Sequence, residues 1–111
     1  MTLQQDLRAS APVFAALGDE TRLTLLARLS RGEPLSITRL AEGTSLTRQA
    51  VTKHLRVLEA AELARSSKRG REQMWEMNAR QLEHARHCLD LIGRQWESAL
   101  ERLKSAVEGK P

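Results

Sequence analysis

Apolar residues recur along most of this chain at every third or fourth position, the spacing that places side chains on one face of an α-helix. The clearest helix is predicted for residues 47–61. There Val51, Leu55 and Leu58 form the apolar stripe, and Thr47 is the expected N-cap. The opposite face is polar and basic, so this helix is predicted to bury one side and expose the other.

Two shorter helices are predicted before it. Asp19 is the expected N-cap of the first and Ser36 of the second. Residues 33–35 form a short link between them, and residues 44–46 make a tight connection to the helix at 47–61. The expected apolar positions are Leu23, Leu26, Ala27 and Leu29 or Ser30 in the first helix, and Ile37, Leu40 and Ala41 in the second.

The N-terminal segment is predicted to consist of two helical pieces. Pro12 disfavours the helical conformation in the residue before it, so a helix preceding it should end near Ser10. A second, short helix should start at Pro12 and stop at Gly18.

Residues 62–77 show alternation instead of helical spacing. Polar and apolar side chains alternate about Trp75, and Arg69-Gly70 is a turn signal, which together predict a two-stranded β-hairpin. A basic hairpin directly after a helix pair can reach DNA phosphates or an adjacent minor groove. The basic residues expected at its tip, as phosphate contacts, are Lys68, Arg69 and Arg71.

One long helix is predicted for residues 78–107, with Asn78 as its N-cap. At about 1.5 Å per residue it would be roughly 40 Å long, whereas a compact domain of this size is only slightly over 30 Å across. It should therefore leave apolar surface that the same stripe of a two-fold partner would cover. The residues expected in this dimer interface are Leu3, Leu7, Phe14, Leu89, Ile92, Trp96, Leu100 and Leu103.

Composition narrows the class of protein. The 111 residues suffice for one domain, and no apolar run is long enough to span a bilayer. The single cysteine, Cys88, excludes an intramolecular disulfide, and with no visible secretion signal a cytoplasmic protein is expected. Only three aromatic residues argue against a protein that stacks single-stranded bases. No catalytic triad, carboxylate pair or glycine-rich phosphate loop is recognisable, so an enzyme is not expected.

The positive charge is concentrated in the middle of the chain. The overall net charge is +4, but residues 44–71 hold seven basic and two acidic residues, a net +5, and the remainder carries −1. Such a patch favours a polyanionic partner. Arg and Lys can donate to guanine, Gln can pair with adenine, and Thr can contact a thymine methyl. The residues expected to enter the major groove are Thr47, Arg48, Gln49, Thr52 and Lys53, with Arg56 directed to a phosphate.

Two segments carry a resemblance to a known family. Residues 14–23, FAALGDETRL, and residues 47–59, TRQAVTKHLRVLE, resemble the ArsR/SmtB family of bacterial transcriptional repressors. The resemblance covers roughly residues 11–77. It implies a homodimeric winged helix-turn-helix protein that binds a palindromic operator in double-stranded DNA. The positions that match the family's base-reading residues are Arg48, Gln49, Thr52 and Lys53.

The fold class expected from pattern and resemblance together is mainly α, with about five helices and a two-stranded β-wing. The whole chain is interpreted as a single domain. Its expected parts are an N-terminal dimerisation segment (1–18), a helical core (19–61), the wing (62–77) and a C-terminal dimerisation helix (78–107).

The sequence departs from the metal-sensing members of this family. Residues 44–47 lack the cysteines that such members carry at the start of the reading helix. On the last helix, Glu83-His84 lacks the second histidine, because Gln95 stands at the position separated from His84 by ten residues. No metal or cofactor is therefore expected. The alternative is a metal-responsive repressor that uses His84, His87 and Cys88, whose spacing would suit zinc or copper, although Cys88 beside the apolar stripe fits a core residue better.

Two further interpretations stay open at this point. A winged helix could use its basic face to bind an acidic protein, in which case it would not bind DNA specifically. His54 flanks the buried stripe of the helix at 47–61 and is interpreted as a packing or phosphate-contacting residue. No residue pattern indicates an effector.

Overall fold

The computed structural model describes residues 2–109. Within them the chain forms five helices and a small antiparallel sheet, which confirms the expected mainly α winged helix-turn-helix class. The helices are α1 (Leu3–Leu17), α2 (Glu20–Leu29), α3 (Ile37–Ala41), α4 (Arg48–Ala60) and α5 (Ala79–Val107), and the strands are β1 (Leu35–Ser36), β2 (Ala64–Arg69) and β3 (Glu72–Met77).

The N-termini of the three central helices are capped as the sequence predicts. The side chains of Asp19, Ser36 and Thr47 each accept a hydrogen bond from the backbone N–H three residues on. Asn78 occupies the cap position of α5, but its side chain makes no capping bond. Its Nδ2 instead donates to the carbonyl oxygen of Glu62 at 2.8 Å, which fastens the start of α5 to the loop that follows α4.

The predicted break at Pro12 is wrong, because α1 runs uninterrupted past Ser10 to Leu17. Proline removes one helical hydrogen bond, but Pro12 is exposed, so the carbonyl left without a partner is on the side that water reaches. Val13 and Ala16, directly after it, are buried in the core. Their burial favours continuing the helix over breaking it.

The predicted apolar face of α2 is partly wrong. Leu26 and Leu29 are buried as expected, but the third buried residue is Leu25, while Leu23 is 50% exposed and Ala27 is exposed. A stripe through Leu26 and Leu29 can widen to either side of the helix. The core lies on the side of Leu25, because α2 packs there against α4 and β3.

The sheet has three strands where the sequence predicts two. Its order is β1-β3-β2, and the hairpin of β2 and β3 is confirmed, with Arg69 paired to Glu72 next to the turn at Gly70. The residues predicted as a link, 33–35, include Leu35, which pairs with Trp75 as part of β1. A two-residue strand has no alternation to detect, so only its partner strand defines it.

One core joins the central helices to the sheet. Val51, Leu55 and Leu58 of α4 are all fully buried, as the stripe predicts, and so is Trp75 of β3. This packing fixes α4 against the sheet, and its polar face is thereby left on the outside of the molecule.

The last helix, α5, is 29 residues long and extends well beyond the body of the protein. The described residues measure 69 × 32 × 21 Å, with a radius of gyration of 18.6 Å against about 13 Å for a compact domain of this size. Only Ala85 and Cys88 of α5 are buried. None of the helices in residues 2–109 is long and apolar enough to cross a membrane.

Candidate nucleic-acid interface

The helix pair α3 and α4 is held in place by an arginine from α2. Arg28 donates from Nη1 to the carbonyl oxygen of Leu40 at 2.7 Å and from Nη2 to that of Arg39 at 2.8 Å. These carbonyls lie at the C-terminal end of α3, where the helix itself supplies no partner. Arg28 thus provides hydrogen-bond partners for the last carbonyl groups of α3, just before the turn that leads into α4.

The polar face of α4 presents its basic and amide side chains to the outside. Arg48, Gln49 and Lys53 are exposed. Nη1 of Arg48 lies 3.3 Å from Oγ1 of Thr38 on α3, a neutral partner that leaves the positive charge uncompensated. The arrangement therefore offers long donors that can extend into a groove.

The two threonines predicted on this face are partly engaged within the helix. The hydroxyl of Thr52 donates to the carbonyl oxygen of Arg48 at 2.8 Å. That of Thr47 accepts the capping hydrogen bond from the backbone N–H of Ala50 at 3.0 Å. Each hydroxyl oxygen keeps lone-pair capacity, and each methyl group remains able to make an apolar contact.

A cleft of about 360 Å³ lies between α4 and the sheet. Beside the predicted Arg48, Gln49 and Thr52, it contains Glu72 and Gln73 of β3, which the sequence does not single out. Their alternation places them on a strand, but only the tertiary packing, which sets β3 across the cleft from α4, brings them near Arg48 and Gln49. Its complete lining is Ser36, Ile37, Thr38, Arg48, Gln49, Thr52, Glu72 and Gln73.

The three cations predicted at the tip of the wing are exposed to solvent. Gly70 adopts a left-handed conformation, with φ of 63°, at the turn between β2 and β3. The side chains of Lys68, Arg69 and Arg71 around it are exposed and make no ion pair or hydrogen bond within the part of the chain that the structure describes. They are therefore available to phosphates.

Arg56, at the other end of α4, is already engaged inside the protein. Its Nη1 donates to Oε1 of Glu59 at 2.8 Å, and its guanidinium carbon lies 5.2 Å from the centre of the Trp75 ring. The structure thus does not group Arg56 with the unpaired cations of the interface.

His54 packs between helices on the far side of α4. Its Nδ1 lies 3.8 Å from Oδ2 of Asp19 and 3.5 Å from Nη1 of Arg22, and its side chain is 26% exposed. The backbone N–H of Arg22 donates to Asp19 and holds the pKa of that carboxyl below its usual value. Asp19 thus stays ionised beside the two nitrogen-bearing side chains.

The histidines and the cysteine of α5 lie in different surroundings. Cys88 is 1% exposed, its thiol 3.9 Å from the carbonyl oxygen of Asp6, while His84 and His87 are exposed. Glu83, next to them, is paired with Arg86, whose hydrogen bond lowers the pKa of the carboxyl. Within residues 2–109, no group of three or more His, Cys, Asp or Glu residues is placed to hold a metal ion.

The predicted dimer-interface residues fall on α1 and α5. Leu3, Leu7 and Phe14 of α1 and Ile92 of α5 are half-buried within the protomer. The remaining four residues of the predicted set are each at least half exposed: Leu89, Trp96, Leu100 and Leu103.

A basic reading helix set beside a hairpin with an unpaired basic tip defines the winged helix-turn-helix class of DNA-binding protein. Comparison with known proteins agrees, since the model of a helix-turn-helix domain family matches residues 17–67. The HTH-type transcriptional regulator Rv2034 of Mycobacterium tuberculosis is 33% identical over 103 residues, 93% of this chain and 92% of the relative.

Solved structures narrow the class further. An ArsR-like transcriptional regulator from Rhodococcus sp. RHA1 is 37% identical, with a TM-score of 0.73 over 89% of this chain and 92% of that one. The homodimeric winged helix-turn-helix DNA-binding domain of Mb0332 from Mycobacterium bovis, 23% identical with a TM-score of 0.62, covers 86% of this chain and 85% of its own and shows the shared fold. The chain belongs to the ArsR family of helix-turn-helix transcriptional regulators.

Proposed function

We propose that this protein is a transcriptional repressor that binds an inverted-repeat operator in double-stranded DNA as a homodimer. The observation that carries the proposal is that exposed cations without an ion pair stand both on α4 and at the tip of the wing. Arg48 and Lys53 stand on α4, and Lys68, Arg69 and Arg71 stand at the wing tip. This arrangement suits a duplex whose major groove receives α4 while the wing contacts the adjacent backbone.

Within this arrangement the first turns of α4 would read the bases. Gln49 can pair with adenine, and Arg48 and Lys53 can donate to guanine. Thr47 and Thr52 would contribute methyl contacts or accept hydrogen bonds. The wing cations would bind phosphates and add affinity without sequence preference.

The proposed dimer rests on the apolar stripe of α5. Its outer part repeats every eleven residues, because Leu89, Ile92 and Trp96 are followed by Leu100, Leu103 and Val107. A repeat of about 3.67 residues per turn keeps such a stripe on one face of a nearly straight helix. A second copy related by a two-fold axis would supply an equal stripe, and the Mb0332 domain of the same fold is homodimeric.

A dimer bound over a promoter would repress by occupying it. The reading helices of the two protomers would lie about one turn of DNA apart, which matches an inverted repeat. An effector that altered the relative orientation of the protomers would release the DNA. The protein would act in the cytoplasm, where its DNA target lies.

Selection of bound sequences from a random duplex library, followed by gel shift on the best sequence, tests the proposal. We expect an inverted repeat. The double variant Arg48→Ala, Gln49→Ala should lose discrimination at the contacted base pairs, each contact contributing about 1–3 kcal/mol. Arg94→Ala, an exposed cation on α5, is the matched control and should bind as the wild type does. Absence of binding to any duplex at low salt would contradict the proposal and favour an acidic protein as the partner.

A further inference from the structure

Arg56 differs from the other basic residues of α4 in its contacts. Its guanidinium is paired with the Glu59 carboxylate at 2.8 Å and lies 5.2 Å from the centre of the Trp75 ring. The side chain of Lys53, on the same helix, is exposed and makes no hydrogen bond or ion pair within residues 2–109. The Lys53 ammonium is therefore free to move to a phosphate, whereas the Arg56 guanidinium is held by a carboxylate and a ring.

Glu59 extends the contact from α4 into both strands of the wing. Its Oε2 accepts a hydrogen bond from the hydroxyl of Ser66 on β2 at 3.2 Å. The same hydroxyl oxygen accepts from Nε2 of Gln73 on β3 at 2.9 Å. Trp75, which carries the Arg56 guanidinium over its ring, is the cross-strand partner of Ser66. One carboxylate therefore joins the reading helix to the two strands that lead to the wing tip.

We propose that Arg56 and Glu59 are positioning residues that set the wing relative to the reading helix, and that Arg56 is not a DNA contact. The inference rests on the DNA binding proposed above. Transfer of Arg56 to a phosphate would leave the Glu59 carboxylate without its cation close to the DNA, a repulsive arrangement. Held where it is, Arg56 joins an ion pair, a cation–π contact and a hydrogen-bonded chain, and these together restrain the base of the wing.

Removal of a negative charge distinguishes a positioning role of Glu59 from a purely electrostatic effect, because the two predict opposite changes in operator affinity. Glu59→Ala and Glu76→Ala each remove one negative charge, and the side chain of Glu76 is exposed on β3 without a hydrogen bond or ion pair in the described part of the chain. By charge alone both variants should bind the operator more tightly. We expect Glu76→Ala to do so and Glu59→Ala to bind about tenfold more weakly, because the wing is released. Equal or tighter binding by Glu59→Ala would overturn the positioning role.

The salt dependence of binding supplies a second readout. If Arg56 bound a phosphate, Arg56→Ala would lower the slope of log K against log salt by about 0.9, and Arg69→Ala would lower the slope by a further, independent amount. If Arg56 positions the wing, Arg69→Ala should lower the slope much less in the Arg56→Ala background than in the wild type. Additive losses in this double-mutant cycle would contradict the proposal.

A conservative variant sharpens the distinction. Arg56→Lys keeps a charge that could bind a phosphate but lacks the planar fork that stacks on a ring and pairs with a carboxylate. We expect it to behave like Arg56→Ala, and wild-type binding by Arg56→Lys would overturn the proposal. Ser66→Ala breaks the hydrogen bonds between Glu59 and Gln73 from the wing side. It is used in place of any α4 variant that thermal unfolding shows not to be folded. Failure of the proposed function is distinguishable, since the wild type itself would then show no salt-dependent DNA binding.

Discussion

Nε of Arg22 donates a hydrogen bond of 2.6 Å to the carbonyl oxygen of Ala16, and this bond joins the last turn of α1 to the first turn of α2. The same guanidinium lies 3.5 Å from the His54 ring on α4. One side chain of α2 therefore contacts both α1 and α4. Because α1 carries part of the proposed dimer face and α4 the reading face, Arg22 connects the two.

Removal of this contact should destabilise the fold. We expect Arg22→Ala to lower the free energy of unfolding by about 1.5–3 kcal/mol, the range for hydrogen bonds made by a charged group. Urea unfolding followed by circular dichroism measures the difference. Arg31→Ala, an exposed arginine just after α2, is the control, and an equal effect of the two variants would show that the Ala16 contact contributes nothing of its own.

Stability should fall in acid through Asp19. The hydrogen bond from the backbone N–H of Arg22 lowers the pKa of this carboxyl in the folded protein, whereas the unfolded value is about 3.9. A lowered folded pKa means that the ionised cap stabilises the fold above the unfolded value. That contribution is lost as the pH falls through the folded one.

The variant Asp19→Asn keeps a capping side chain without the charge. We expect it to unfold at a lower temperature than the wild type at neutral pH, and the two melting temperatures should converge between about pH 5 and pH 2. Glu76→Gln, an exposed carboxylate on β3 away from any helix N-terminus, should follow the wild-type curve. A constant difference between Asp19→Asn and the wild type across this range would show that the carboxylate charge is not the cause.

A charge on the apolar stripe of α5 should break the proposed dimer. Leu100, 62% exposed in the protomer, would be buried against the partner, so Leu100→Glu would place an unpaired carboxylate in an apolar interface. Sedimentation analysis should give a monomer, with operator binding weakened because only one half-site is held. Ser98→Glu adds the same charge on the opposite face of the helix and should remain dimeric. A dimeric Leu100→Glu would move the interface elsewhere.

The wing cations should contribute affinity without specificity. We expect Arg69→Ala and Arg71→Ala to weaken binding to operator and random duplex alike, each lowering the salt slope by about 0.9 per lost phosphate contact. Fluorescence anisotropy over a series of salt concentrations measures this. A variant that lost operator binding but kept its affinity for random duplex would show that the wing reads bases.

The local part of this fold could be predicted from the sequence, because it depends on neighbouring residues. Thr47 caps α4 and Val51 is buried on it, as side-chain chemistry and helical spacing require. The errors arise where distant residues decide. Leu35 becomes a strand only by pairing with Trp75, and the helix passes Pro12 only because the residues after it are buried.

The candidate nucleic-acid interface was likewise predictable from the sequence where it depends on neighbouring residues. The exposed cations of α4 and the wing follow from helical period and turn signals. The pairing of Arg56 with Glu59, three residues further along α4, also follows from helical spacing. That Arg56 lies over the Trp75 ring, and that Gln73 joins the cleft, depends instead on how the sheet packs on α4. No local pattern in the sequence contains that information.

The two tryptophans lie in opposite environments, and this gives the protein a pair of built-in optical reporters. Trp75 is fully buried in strand β3 of the wing, Trp96 is 65% exposed on α5, and the chain has no tyrosine to add emission. Self-association through α5 should transfer Trp96 from water to an apolar contact, so its emission should shift to shorter wavelength as the protein concentration rises and back on dilution. Trp75 would instead respond to changes at the base of the wing. With Trp96→Phe and Trp75→Phe variants, assembly and wing movement could be followed separately in solution without an added label.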